Sequence, residues 1–170
     1  TAKADPDKWR DCTARERHEV LSRAAMEIRQ ARGDLVGAAA AVGAKVFSES
    51  DAEVSEAVDF AEYYPFSVKA FAEQESLKSR GKGVGVVISP WNFPIAIPCG
   101  GVAASLAAGN TVILKPATDV APVAWILCQC FWRAGVSRRT LQFLPCKGST
   151  VGSRQAGHSD VDFVILTGGT

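Results

Sequence analysis

Apolar residues in the first part of the chain recur at the three- and four-residue spacing of a helix. The segment Thr13–Glu16 has the pattern of a capping box, in which the Thr13 hydroxyl accepts a hydrogen bond from the Glu16 amide and the Glu16 carboxylate reaches back. We expect a helix behind this box, ending at Gly33. Its apolar positions are Leu21, Ala24, Ala25 and Ile28.

Two more amphipathic helices are predicted before residue 83. The apolar positions of the first are Leu35, Ala39, Val42 and Val46. The second is expected to be capped by Asp51 and disturbed at Pro65, because proline has no N–H to donate. Its apolar face is Val54, Ala57, Val58, Ala61 and Tyr64. Residues 66–82 are polar and lead into a connector, so we take residues 1–83 as a helical segment.

From Val84 onward the pattern changes to short apolar runs that alternate with helical stretches. Continuous apolar runs predict strands covered on both faces, and their alternation with helices predicts parallel strands joined by right-handed crossovers. The predicted strands are Val84–Ile88, Thr111–Leu114, Leu141–Leu144 and Val161–Leu166. The predicted helices are Ile95–Ala108, Val123–Ala134 and Ser149–Ala156. The fold class is therefore α/β: N-terminal helices, then an incomplete, doubly wound parallel (Rossmann-like) sheet over residues 84–170.

Two packing expectations follow from this architecture. The paired glycines Gly100 and Gly101 should let the helix after the first strand lie close on the sheet. A four-stranded sheet without a closing helix leaves an apolar face open, so we expect the natural protein to continue beyond Thr170. The alternative is that a swapped or oligomeric partner covers that face.

Charge and cysteine content narrow the function classes. The formal net charge is +1, which gives no electrostatic reason to expect nucleic acid or an anionic membrane as partner. The 5 Cys form no CxxC pair, and neither His stands at metal-ligand spacing from them. We therefore predict free thiols in a cytoplasmic protein and no metal site. No signal peptide pattern and no long uninterrupted apolar run is present.

The strongest chemical signal is the segment Ser89-Pro-Trp-Asn-Phe-Pro94, which lies where the first strand meets its helix. Open α/β sheets bind ligands at the carboxyl ends of their strands. The Asn92 amide is a donor that does not titrate, which suits stabilisation of an oxyanion. Asn is also a favoured helix cap, so Asn92 is either an oxyanion donor or the cap of the following helix.

Two further segments follow strands at the same predicted edge. Lys115 leaves the second strand, either as a solvated strand end or as a donor to a ribose or phosphate. Asp119 could accept from a hydroxyl of the same ribose. Gly148-Ser-Thr-Val-Gly152 follows the third strand, where small residues let the backbone approach phosphates.

Several segments together resemble the aldehyde dehydrogenase superfamily in order and spacing. They are Pro90-Trp-Asn-Phe-Pro94, Ala107-Ala-Gly-Asn-Thr-Val-Ile-Leu-Lys-Pro116, Ala134-Gly-Val136, Leu141-Gln-Phe-Leu-Pro145 and Leu166-Thr-Gly168. The segment Glu53–Tyr64 resembles the branch that oxidises L-glutamate γ-semialdehyde, formed from 1-pyrroline-5-carboxylate, in proline metabolism. That branch includes bifunctional proline utilisation enzymes with a proline dehydrogenase domain.

The resemblance implies a role for each matching position. Asn92 would donate to the oxyanion of the thiohemiacetal, and Lys115 would hold the adenosine ribose of NAD. Other cofactor-binding positions would be Ile88, Ser89, Pro90, Trp91, Gly148, Gly152 and Gly168, with Asp119 as a ribose contact. The sequence departs from the family at Thr118, where a Glu is usual, at Cys146, where a Gly is usual, and at Gly169, where a Ser is usual. These departures leave cofactor affinity and the preference for NAD over NADP open.

The family's catalytic Cys and general-base Glu match no residue of this chain. The resemblance therefore implies part of an oxidoreductase, with the catalytic domain absent and no activity in the isolated chain. The parent is expected to bind a small-molecule aldehyde, to form a homo-oligomer, and to be fused in some forms to proline dehydrogenase. The alternatives are another aldehyde substrate or a non-catalytic remnant kept for assembly.

Overall fold

The computed structural model describes residues 2–74, 79–148 and 157–168. Three long helices come first: α1 (Ala14–Gln30), α2 (Arg32–Gly43) and α3 (Phe47–Ala72). Strands and helices then alternate: β1 (Val84–Ile88), α4 (Ala96–Ala107), β2 (Thr111–Lys115), α5 (Ala121–Arg133), β3 (Leu141–Phe143) and β4 (Phe163–Leu166). The predicted helix Ser149–Ala156 lies outside the described residues.

The four strands form one parallel sheet in the order β3-β2-β1-β4, which confirms the predicted α/β class. Strand β1 is central, and Val86 lies opposite Ile113 on one side and Val164 on the other. The first four residues of β1 are buried, as the continuous apolar run predicted. The helical segment and the sheet share one hydrophobic core, which extends from Trp9 to Leu141.

The capping box at the start of α1 is confirmed. The Glu16 amide donates to the Thr13 hydroxyl at 3.2 Å, and the Thr13 amide donates to the Glu16 carboxylate at 2.7 Å. The Thr13 amide, and next the Thr13 hydroxyl, donate to the Glu16 carboxylate and so lower the pKa of Glu16. The prediction that Gly33 ends this helix is wrong. The break comes at Ala31, which is buried in the core, and Gly33 lies in the first turn of α2.

The apolar stripe predicted for α2 is only half correct. Leu35 and Ala39 are buried, but Val42 is 39% exposed and Val46 is 57% exposed. Val42 lies in the last turn of α2; for Val46 the reason is that α2 ends at Gly43 and the next residue, Ala44, turns left-handed with φ 50°. The helical spacing therefore does not continue to Val46, which precedes the first turn of α3.

Helix α3 starts earlier and ends later than predicted. It begins at Phe47, so Asp51 lies inside it, and it continues through Pro65 to Ala72. A proline inside a helix removes one backbone hydrogen bond. Here Pro65 is itself buried, as are Val54 and Ala61 on the same helix. The burial of this face stabilises the helix enough to offset the lost bond.

The two paired glycines of α4 serve different contacts. A Cβ on Gly101 would lie 2.7 Å from Val87 Cγ1, so this glycine brings α4 close to the sheet, as predicted. A Cβ on Gly100 would lie 3.0 Å from the ring of Phe60 in α3. The prediction for Gly100 is therefore wrong, because its hydrogen faces the helical layer.

Two features of the described part of the chain concern the kinds of function it can have. None of its helices has the length and apolar character needed to cross a membrane. No three His, Cys, Asp or Glu side chains among the same residues are grouped to hold a metal ion.

Candidate active-site edge at the carboxyl ends of the strands

The sheet register brings the ends of three strands to one edge. Ile88, the last residue of β1, lies opposite Lys115 at the end of β2 and opposite Leu166 at the end of β4. The loops that leave these strands therefore start side by side. This edge carries the candidate positions that follow β1, β2 and β4 in sequence.

The loops after β1 and β4 are in contact. The Thr167 amide donates to the Ile88 carbonyl at 3.1 Å. Gly168 has φ 99°, and a Cβ at this position would lie 3.0 Å from Pro90 Cβ. A larger residue would be strained in this conformation and would press on Pro90. A glycine here therefore lets the two loops approach each other closely.

Lys115 is a buried cation with few partners. The residue is 6% exposed, and its ammonium donates to the Pro116 carbonyl at 3.0 Å. Among the described residues, no carboxylate forms an ion pair with it. An ammonium has three donors, so two remain for a ligand or solvent. A Cβ on Gly148 would lie 4.0 Å from the Lys115 nitrogen, which places the loop after β3 at the same point.

The remaining candidates for cofactor contact differ in exposure, and one of them lies outside the described residues. Asp119 is exposed in a short 3-10 helix, Thr118–Val120, and forms no ion pair with Lys115. Ser89 is 5% exposed, and Trp91 is 61% exposed. Gly152 lies outside the described residues.

Asn92 lies in the exposed loop between β1 and α4 and does not cap that helix. The cap position of α4 is Ile95, and no side chain from the loop bonds to the helix amides. Instead the Glu53 carboxylate, from α3, accepts from the Ile95 amide at 2.7 Å and from the Ala96 amide at 3.0 Å. Of the two interpretations of Asn92 left open by the sequence, the helix-cap interpretation is contradicted.

Glu53 is joined to the Asn92 loop by a buried lysine. The Lys45 ammonium forms an ion pair with Glu53, and the two side chains are 8% and 1% exposed. Lys45 also donates to the Asn92 carbonyl at 2.7 Å and lies 3.9 Å from the centre of the Phe93 ring. Lys45 holds the middle of the loop, and Glu53 holds its end at the start of α4.

The sequence analysis missed the roles of Lys45 and Glu53. A signal for Glu53 was present, because it stands next to Val54 and one helical turn before Ala57, on the stripe that faces the core. A carboxylate on a buried stripe requires a charged or hydrogen-bonded partner. Lys45 precedes α3, and its sequence neighbours give no sign of which side chain it meets.

A cavity of about 470 Å³ lies beside the Lys45–Glu53 pair and is lined by Lys45, Glu49, Ala52, Glu53, Glu56, Asn92 and Phe93.

The buried thiols are not activated for chemistry. Burial raises the pKa of Cys99 and of Cys128 far above the ordinary value, and raises the pKa of Cys130 to about 11. The Cys99 thiol donates to the Ala57 carbonyl at 3.3 Å within the core. Since the thiolate is the nucleophile, these three cysteines are inert near neutral pH.

Comparison with known proteins gives the family. The aldehyde dehydrogenase family model matches residues 1–170. The chain belongs to the aldehyde dehydrogenase family. It is 37% identical over 172 residues to a 1-pyrroline-5-carboxylate dehydrogenase of a Geobacillus species, covering 95% of this chain and 33% of the relative. It is 40% identical over 162 residues to the bifunctional protein PutA of Salmonella typhimurium, covering 95% and 12%.

Solved structures agree with this assignment. The 1-pyrroline-5-carboxylate dehydrogenase from Thermus with bound NAD has a TM-score of 0.89 and 32% identity, covering 96% of this chain and 34% of that one. Proline utilization A from Corynebacterium freiburgense has a TM-score of 0.87 and 41% identity, covering 91% and 16%. The chain thus spans about a third of the length of the shorter relatives, and less of the bifunctional ones.

Proposed function

We propose that the chain is the front part of an NAD-dependent aldehyde dehydrogenase that oxidises L-glutamate γ-semialdehyde to L-glutamate in proline catabolism. The names of relatives that match 94–95% of the chain support this substrate. The observation that carries the cofactor part is Lys115, a buried ammonium with two unused donors at the carboxyl edge of a parallel sheet.

The residues of this edge fit a dinucleotide. Lys115 would donate to the adenosine ribose, with Gly148 close beside it, and Gly168 would let the backbone approach the phosphates. Ile88, Ser89, Pro90 and Trp91 would line the path of the cofactor towards Asn92. Gly152 and Asp119 belong to the same proposal, with Asp119 at its exposed margin. Bound NAD would supply the hydride acceptor for the oxidation.

The role proposed for Asn92 is electrostatic. Its amide N–H would donate to the aldehyde oxygen as that oxygen gains negative charge. A neutral donor keeps this ability at every physiological pH. The exposed position of the loop leaves room for a substrate, while Lys45 and Glu53 hold its backbone still.

The nucleophilic Cys and the general base are proposed to lie outside residues 1–170, in a catalytic domain of the same polypeptide. The boundary between residues 1–83 and 84–170 also stays a proposal, and the hydrophobic core is continuous across it. We further propose that the complete protein is a cytoplasmic homo-oligomer. The proposal includes forms with a fused proline dehydrogenase domain, since some relatives are bifunctional.

The test is to assay the complete gene product with L-glutamate γ-semialdehyde and with a panel of aromatic and aliphatic aldehydes, using NAD. We expect the highest kcat/KM for the semialdehyde. The 170-residue chain assayed beside it should show no NAD reduction, because it lacks nucleophile and base. A preference for an aromatic aldehyde would favour a second candidate, since a benzaldehyde dehydrogenase from Corynebacterium glutamicum also matches with a TM-score of 0.89. Turnover by the 170-residue chain that stops on alkylation of Cys99 or Cys146 would overturn the assignment.

A further inference from the structure

We propose that Lys45 and Glu53 are positioning residues that fix the Asn92 amide for its work in the oxidation. This inference rests on the proposed function, and neither residue touches the reacting atoms. It concerns why a shielded ion pair stands where the helical layer contacts the loop after β1.

The Lys45–Glu53 pair contacts the loop at three successive positions along the chain. At the first position, Lys45 donates to the carbonyl of Asn92 itself, at 2.7 Å. At the next residue, the same ammonium lies 3.9 Å from the centre of the Phe93 ring. At the far end, Glu53 accepts from the amides of Ile95 and Ala96 at 2.7 and 3.0 Å. The loop is thereby held between its functional residue and the start of α4.

The hydrogen bonding of Asn92 explains why the backbone of the loop must be held by other residues. The side chain of Asn92 is exposed, and among the described residues no hydrogen bond to that side chain is present. Only the backbone of Asn92 is fixed. An oxyanion donor must be held in place before reaction, because a displacement of about 1 Å can cost ~10²-fold in rate. Fixing the carbonyl fixes the backbone position from which the side-chain amide extends, so that only the two side-chain torsions of Asn92 are left to set.

The charges of the pair suit this task better than neutral groups. Glu53 holds two backbone amides and Lys45 together, and both side chains are almost wholly shielded from solvent. A shielded pair of opposite charges has short, directional hydrogen bonds that solvent does not exchange. The N-terminal amides of α4 add a favourable contact for the carboxylate. The result is one rigid unit formed by the start of α3, the Asn92 loop and the start of α4.

The experiment is a double-mutant cycle in the complete gene product. Asn92→Ala should lower kcat by about 10²–10³-fold, as loss of one oxyanion donor does. Lys45→Met should lower kcat by up to ~10²-fold with the KM for NAD unchanged. In the Asn92→Ala background, Lys45→Met should lower kcat by no more than a few-fold further, because the donor that it positions is already gone.

Three further variants serve as controls for the double-mutant cycle. Lys45→Arg keeps a cation and should recover most of the activity. Lys45→Met combined with Glu53→Gln leaves no unpaired buried charge, so it should fold even if Lys45→Met alone does not, and it should lose kcat as Lys45→Met does. Arg32→Met breaks an exposed ion pair between Arg32 of α2 and Asp51 of α3, and it should leave kcat unchanged.

Each outcome separates the two proposals. Multiplicative losses in the cycle, an unchanged kcat in Lys45→Met, or an equal loss in Arg32→Met would each overturn the positioning role while leaving Asn92 as oxyanion donor. An unchanged kcat in Asn92→Ala would overturn the oxyanion role, and the positioning role with it.

Discussion

Among the described residues, Lys45 and Lys115 both have side chains shielded from solvent, and they are used in opposite ways. Lys45 has a carboxylate, a backbone carbonyl and an aromatic ring as partners, so its ammonium is fully satisfied inside the protein. Lys115 has one hydrogen bond, to the carbonyl of the next residue. A buried charge with complete internal partners supports the fold, whereas a buried charge with unused donors is available to a ligand.

The position of each lysine in the fold accounts for the difference. Lys45 lies between α2 and α3, in a layer where helix faces and side chains meet. Lys115 ends β2 at the carboxyl edge, where the neighbouring strands also end and their loops diverge. A cavity lies beside Lys45 as well, but the donors of that ammonium are engaged by Glu53 and Asn92, whereas Lys115 stands at the edge where parallel sheets bind ligands.

The largest effect expected from this comparison is on stability. Lys45→Met should lower the free energy of unfolding by about 3–5 kcal/mol, because it leaves the Glu53 carboxylate buried without its cation. Lys115→Met should leave stability unchanged or raise it, since it removes a poorly compensated buried charge. Urea unfolding of both variants and of the unsubstituted protein, followed by far-UV circular dichroism, measures the difference in the free energy of unfolding. Equal losses in the two variants would show that the two lysines do not differ in this way.

The sequence predicted the elements that depend on local pattern. The Thr13–Glu16 box and the runs Val84–Ile88 and Thr111–Leu114 are such elements, since a cap or a buried strand is encoded within a few residues; the second strand extends one residue further, to Lys115. The limits of α3 were not predictable in this way. Pro65 argues for a helix end, and only the burial of that face against α1 and α4 keeps the helix intact.

The candidate edge was predictable because strand ends are visible in the sequence. The positions after β1, β2 and β4 share an edge in every parallel sheet of this kind, whatever their neighbours. The link from Lys45 through Glu53 to the Asn92 loop was not predictable. It joins residues 8 positions apart and then 42 positions apart, and such contacts follow from tertiary packing alone.

The second expected effect is on cofactor binding, which should depend on Lys115 and not on an ion pair of the helical layer. Lys115→Met should weaken NAD binding by about 1.5–3 kcal/mol, because a hydrogen bond from a charged donor to the ribose is lost. Arg32→Met should leave NAD binding unchanged, as its ion pair lies on the surface of the helical layer. Isothermal titration of the complete gene product with NAD provides the measurement. If Lys115→Met binds NAD as tightly as the parent does, Lys115 is not the ribose contact.

The smallest expected effect concerns the carboxylates that accompany the two lysines. Glu53 is buried against Lys45, whereas Asp119 is exposed and unpaired with Lys115 although it stands only four positions after it. We expect Asp119 to act on the cofactor through solvent, by repelling the extra phosphate of NADP. Two unit charges 4 Å apart in water interact by about 1 kcal/mol, so Asp119→Ala should change the ratio of the NAD and NADP dissociation constants by roughly five-fold in favour of NADP. Both cofactors should be titrated at the same low ionic strength, because salt screens an exposed charge. An Asp119→Ala ratio equal to that of the parent would mean that Asp119 faces solvent away from the ribose, leaving Lys115 as the charged contact at this edge.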